Sequence, residues 1–182
     1  MEENHNEPII IQESGMNFGP FDSDQLFHIE ACDLYQKTMM PKGVAVTEFA
    51  VLTKGKLLFI EAKTSTPNYK ECNESQEKRE KYDEYVTSIA TKFRDSIDIY
   101  ASILLKRNTC EQMPDHLAKK EFSDLPIVFV LVIKNAYPDT LRHFTEKFQQ
   151  VLRPMMRIWN VQDIAVIGEE QARRKGLITA DT

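Results

Sequence analysis

Glu61-Ala62-Lys63 places a carboxylate and an ammonium two residues apart, and on a β-strand that spacing puts both groups on one face. An acid, any residue and a lysine form a triplet common by chance, so its position decides its weight. It follows Leu57-Leu58-Phe59-Ile60, an apolar run that reads as a strand over 57–62. Residues 44–52 read as a second strand, and Thr53-Lys54-Gly55-Lys56 between them is a short Gly-containing turn, together a β-hairpin signature. With the turn centred on Lys54-Gly55, Leu52 pairs with Leu57, and counting outward sets Glu48 opposite Glu61. Two carboxylates and one ammonium then converge. Carboxylates ~4 Å apart repel by about 4 kcal/mol at an effective dielectric of about 20. A bound cation relieves that repulsion, and oxygen ligands with room for water suit Mg2+ or Mn2+. The plainer alternative is a solvated Glu61–Lys63 ion pair at a strand end, with Glu48 on the exposed side of an edge strand.

The elements that must position these groups can be read from pattern. Residues 1–7 are polar and expected to fray. Pro8-Ile9-Ile10-Ile11 can begin a short edge strand, Gly15 and Gly19-Pro20 mark turns, and Asp22 and Asp24 can cap the next segment. Residues 26–40 fit a short strand leading into a helix. After a polar loop over 65–74, Tyr82, Tyr85, Ile89, Phe93, Ile97, Tyr100 and Leu104 recur at spacings of three and four, predicting a helix over 76–107. A polar connection over 108–125 has room for a helical turn. Residues 126–133, apolar on both faces and β-branched, predict a central strand. Asp139 is expected to cap a helix with Leu141, Phe144, Phe148 and Leu152 on its inner face, ending near Pro154. A last strand over 163–167 precedes a short helix opened by Gly168-Glu169-Glu170 and closed by Arg173, Arg174, Lys175 and Gly176. The predicted class is α/β, a mixed central sheet flanked by helices, in a single domain over 1–182.

Composition narrows the partners. The chain of 182 residues carries a net charge of -5, which argues against a nucleic-acid packaging protein and is neutral on a local nucleic-acid site. Lys54, Lys56 and Lys70 are positioned to meet phosphates, although solvation is their commoner role. Cys32, Cys72 and Cys110 are few and widely spaced, the pattern of reduced structural thiols in a cytoplasmic protein. The four histidines form no spaced pair with one another or with cysteine, which leaves out a zinc hydrolase. No secretory signal and no apolar run of membrane-spanning length is present. Walker A, GxGxxG and GxSxG sequences are absent.

The run from Glu48 to Lys63, Glu-Phe-Ala-Val-Leu-Thr-Lys-Gly-Lys-Leu-Leu-Phe-Ile-Glu-Ala-Lys, resembles the core hairpin of the PD-(D/E)xK nuclease superfamily, the restriction-endonuclease-like fold. In that family one strand carries an acid, the next ends in an acid, one residue and a lysine, and a helix follows. The match covers mainly residues 44–65, and the later order of helix, strand, helix, strand is compatible with the family's core. It departs at the first acid, where Thr47-Glu48 stands in place of Pro-Asp. The resemblance implies metal binding by Glu48 and Glu61, with the Ala62 carbonyl within reach. It implies a Lys63 that orients the attacking water or stabilises charge on the phosphate. It also implies a further acid from a preceding helix, for which Glu30 is the best placed, with Asp22, Asp24 and Asp33 as competitors. The implied activity is Mg2+- or Mn2+-dependent hydrolysis of phosphodiester bonds, in DNA first. A chain of 182 residues with no evident separate DNA-reading domain is expected to work as a homodimer or with a protein partner. The alternative is a nuclease-fold module that binds or regulates without cutting, in a bacterial defence or repair complex.

Overall fold

The Lys54-Gly55 turn sets the register of the central hairpin. In the computed structural model, which describes residues 8–179, both turn residues have positive φ, 50° and 73°, the geometry of a two-residue type I′ loop. The expectation for residues 1–7 lies outside the described residues. Strand β4 (Phe49–Thr53) pairs antiparallel with β5 (Lys56–Lys63) through Thr53↔Lys56, Leu52↔Leu57 and onward to Phe49↔Ile60. Glu48 and Glu61 lie one step beyond the last of these pairs, in the anticipated register. The predicted strand over 44–52 is shorter than expected. Residues 44–48 lie outside the strand ladder, and two of their backbone donors turn to helix side chains: Ala45 N–H to Asp95 and Thr47 N–H to Ser96.

Ahead of the hairpin, β1 (Ile9–Glu13) and β2 (Met16–Phe21) pair with each other in a separate two-stranded sheet. Gly19-Pro20, read as a turn, lies within β2 and its peptide bond is cis. β3 (Leu26–Phe27) then pairs with β4. Residues 33–42 are helical, as anticipated. Asp22 precedes a single 3-10 turn and makes no side-chain cap.

Helix α1 (Gln76–Leu104) crosses from β5 to the parallel strand β6 (Ile127–Ile133), which is buried along its whole length. The connection between them holds the one-turn helix α2 (Asp115–Ala118). Helix α3 (Pro138–Ile158) leads to the edge strand β7 (Asp163–Gly168), followed by α4 (Glu169–Arg174), the last helix of the described residues. Asp139 sits in the first turn of α3 and not at its cap, since Pro138 already occupies the opening position. Pro154 does not end α3, which runs on to Ile158.

The main sheet has the order β3-β4-β5-β6-β7. Its alternating side chains feed two cores. On one face Phe59, Phe129 and Leu131 pack with Phe93 and Tyr100 of α1 and Phe144 and Phe148 of α3. Phe93 stacks on Phe129 at 4.7 Å between ring centres. On the other face Ile60, Ala62 and Val130 pack against Phe18 of β2 and Ala172 of α4. Among the described residues no helix is long and apolar enough to cross a membrane. Gly55→Val, which forces a β-branched residue into a left-handed backbone, is expected to cost about 1–2 kcal/mol while Lys54→Asn leaves stability unchanged or improved. Urea unfolding of the two variants checks this, and equal stabilities would refute the turn assignment.

Candidate functional site

Along β5, Leu57 and Phe59 point to the α1 side of the sheet, so Glu61 and Lys63 point there too. Glu61 is fully buried and Glu48 is 5 % exposed. The carboxylate of Glu61 accepts from Lys63 Nζ at 2.5 Å and from Lys92 Nζ at 2.8 Å. Lys92 also stands 3.8 Å from Glu48. The opposed acids of the hairpin are thus bridged by a lysine of α1. The hairpin motif does not reveal that lysine, although the helix carries a signal for it: Lys92 lies three residues after Ile89 and four before Ser96, both buried on α1. A charged residue on a buried helical stripe needs a partner. Burial opposes its charge, but Glu61, with Glu48 and Glu30, holds the Lys92 ammonium above its ordinary range.

Ser96 aligns Glu48. Its hydroxyl takes the Thr47 N–H at 2.8 Å and lies 3.0 Å from the Thr47 hydroxyl, and both residues are fully buried. The incoming chain is therefore pinned to α1 one residue before Glu48.

Glu30 reaches the site from a turn, not from a helix. The β3–β4 pairing carries it there, and its N–H donates to the Glu48 carbonyl at 3.2 Å. The two side chains share a hydrogen bond. Burial first, then this bond, then the charge of Glu61 raise Glu48 to about 9, while the bond to Glu48 holds Glu30 below the usual carboxylate range. Glu48 therefore donates its proton to Glu30. The competing acids Asp22, Asp24 and Asp33 do not join the cluster.

Glu13, at the end of β1, joins the site with no local pattern to mark it in the sequence. The turn after it folds over the carboxyl ends of β5 and β6, where Lys134 Nζ donates to the Gly15 carbonyl at 2.6 Å. Glu13, Glu30 and Glu48 consequently offer oxygens that all lie within 4.8 Å of one another. Burial and the charges of Glu30 and Glu61 raise Glu13. Tyr85 of α1 lies close enough to feel the charge of Glu61, and its buried hydroxyl has no partner among the described residues. Lys54 instead donates to the Lys175 carbonyl, and Lys70 faces Asp139 at 3.9 Å.

Lys92→Met leaves Glu61 buried beside a single lysine and is expected to cost about 3–5 kcal/mol. Lys92→Met combined with Glu61→Gln recovers most of it, and additive losses in urea unfolding would refute the coupling. Because the folded value of Glu48 lies above its unfolded one, the native state binds the extra proton between pH 4.5 and about 9, so stability falls as pH rises through that window. In chelator, Glu48→Gln should flatten this dependence, and an unchanged slope would contradict it.

Comparison with protein-family profiles, with curated proteins and with solved structures returns no match.

Proposed function

We propose that the chain is a Mg2+- or Mn2+-dependent nuclease of restriction-endonuclease-like fold that hydrolyses phosphodiester bonds in nucleic acid, DNA first, in the cytoplasm. The observation that supports this reading is the charge balance at the carboxyl end of β5. Four carboxyl groups, Glu13, Glu30, Glu48 and Glu61, meet two ammonium groups, Lys63 and Lys92. Even with a proton on Glu48, three carboxylates face two cations in a poorly solvated place.

The donor set fits the proposed ion. Oxygens around one octahedral Mg2+ stand about 3.0–4.2 Å apart, given bonds near 2.1 Å, and Glu13, Glu30 and Glu48 need little contraction to reach that spacing. Bound there, Mg2+ would supply positive charge at the phosphate and lower the pKa of a water. Lys92, the less exposed lysine, holds Glu61 in place, while Lys63, with its side chain 31 % exposed, is the ammonium able to meet substrate. Lys63 orients the water or stabilises charge on the phosphate. The orphaned Tyr85 hydroxyl is a donor for an oxygen entering beside Glu61.

One observation favours a second reading. Glu61 is held by both lysines, so its charge is matched without a metal, which supports a nuclease-fold module of a bacterial defence or repair complex that binds or regulates without cutting. Titration calorimetry with Mn2+ and cleavage assays on single-stranded, double-stranded and branched DNA and on RNA separate the two. The nuclease reading expects a Mn2+ site lost in Glu48→Ala and Glu30→Ala. It also expects cleavage that falls by about 100-fold or more in Lys63→Ala with Mn2+ binding retained. Binding without cleavage selects the second reading, and no binding at millimolar Mn2+ removes the metal from both.

A further inference from the structure

Backbone pairing between the β5 and β6 segments continues past the carboxylate site. The Lys134 N–H donates to the Lys63 carbonyl at 2.9 Å, and the Asn135 N–H to the Thr64 carbonyl at 3.0 Å. Beyond these bonds, residues 66–70 and 135–140 line the two sides of an open groove of about 600 Å3, a size common for ligand clefts. The groove therefore begins within three residues of Lys63, the ammonium read above as the one that meets substrate. Both walls are held in place. The Tyr69 ring stacks on His143 at 4.0 Å between ring centres and 14° between planes, and His143 Nε2 lies 2.7 Å from the Tyr82 hydroxyl, so α1 and α3 together fix that wall. On the facing wall Tyr137 is the N-cap of α3. Its carbonyl accepts the Leu141 N–H at 3.1 Å, and Pro138 follows at the first helical position. This fixed backbone presents a tyrosine side chain that is 81 % exposed and meets no other ring among the described residues.

We propose that this groove binds single-stranded nucleic acid, with one base stacked on Tyr137 and the neighbouring phosphate directed toward Lys63. An exposed aliphatic side chain is ordinary on a protein surface. A rigidly mounted aromatic ring at the rim of a groove is a stacking platform, and it accepts any base because every base has a flat face. In a duplex those faces are covered by the neighbouring base pairs, so only an unpaired strand can use the platform. The Asn135 amide, with two donors and an acceptor, lines the same groove. Lys70 and Asp139 face each other across it at 3.9 Å, and both side chains are about two-thirds exposed. Such a pair costs little to open, which leaves the Lys70 ammonium available to a backbone phosphate. That the bound strand is also the one cut rests on the nuclease reading above, whereas the binding itself does not.

The experiment measures fluorescence anisotropy of labelled oligo(dT), alone and annealed to oligo(dA), with the full chain in chelator and low salt. Cleavage of the same probes is followed in Mn2+. The single strand is expected to bind more tightly than the duplex. Tyr137→Ala should weaken single-strand binding by roughly 5- to 150-fold, the range for loss of one stacked base, and Tyr137→Trp should retain it. Leu105→Ala, at an exposed site beyond the far end of α1, should leave it unchanged. A merely structural role for Tyr137 would not separate Ala from Trp, and unchanged circular dichroism confirms that each variant folds. Equal affinity in Tyr137→Ala, a duplex bound as tightly as the single strand, or no single-strand binding would each overturn the proposal. Cleavage in Mn2+ with unaltered Tyr137→Ala affinity removes the groove and leaves the nuclease reading standing. Tyr137-dependent binding without cleavage keeps the groove and removes the nuclease reading.

Discussion

A carboxylate withdrawn completely from solvent must be matched where it sits, because an unpaired charge in a protein interior costs several kcal/mol. Glu61 is that group, and the arrangement around it answers the need. Lys92 reaches it from α1 and Lys63 from its own strand. The rotation of α1 that aims Lys92 inward also brings Ser96 against Thr47, and Ser96 aligns the chain at Glu48. The same rotation seats Phe93 on Phe129, so apolar packing and the ion pairs reinforce one helix orientation.

The acids outnumber the bases at this point, and the excess is handled in two ways. One proton stays in the hydrogen bond between Glu48 and Glu30, which removes a charge without removing a donor atom. The remaining oxygens of Glu13, Glu30 and Glu48 stay grouped. A purely structural ion-pair network would gain from balanced charge or from apolar replacement. The unbalanced cluster sits at the carboxyl end of β5, beside the parallel strand β6, and loops at that end of an α/β sheet commonly carry ligands.

Much of the fold is legible in local pattern. The apolar spacing from Tyr82 to Leu104 corresponds closely to α1, and the β-branched run to the buried strand β6. Where local pattern misleads, a tertiary contact outweighs it. Residues 44–48 have strand composition, but Ala45 and Thr47 give their N–H groups to α1 side chains. Glu30, expected on a helix, is delivered by the short β3–β4 pairing. The β1–β2 hairpin, of which only an opening edge strand is expected from sequence, forms a second small sheet whose turn docks through Lys134.

The sequence by itself determined the hairpin register, and with it the opposition of Glu48 and Glu61. Two-residue turn geometry and the period-two alternation of a strand act over a few residues and leave no choice once Lys54-Gly55 is the turn. The partners of those acids were decided only by the tertiary structure. Lys92 is selected by how α1 is rotated on the sheet, and Glu13 by where a separate hairpin folds over the strand ends. Both depend on packing between segments far apart in the chain, which no spacing within the motif encodes. The motif therefore announced a conflict between two carboxylates, and the fold supplied the lysine that bridges them and the further acids that make the site unbalanced.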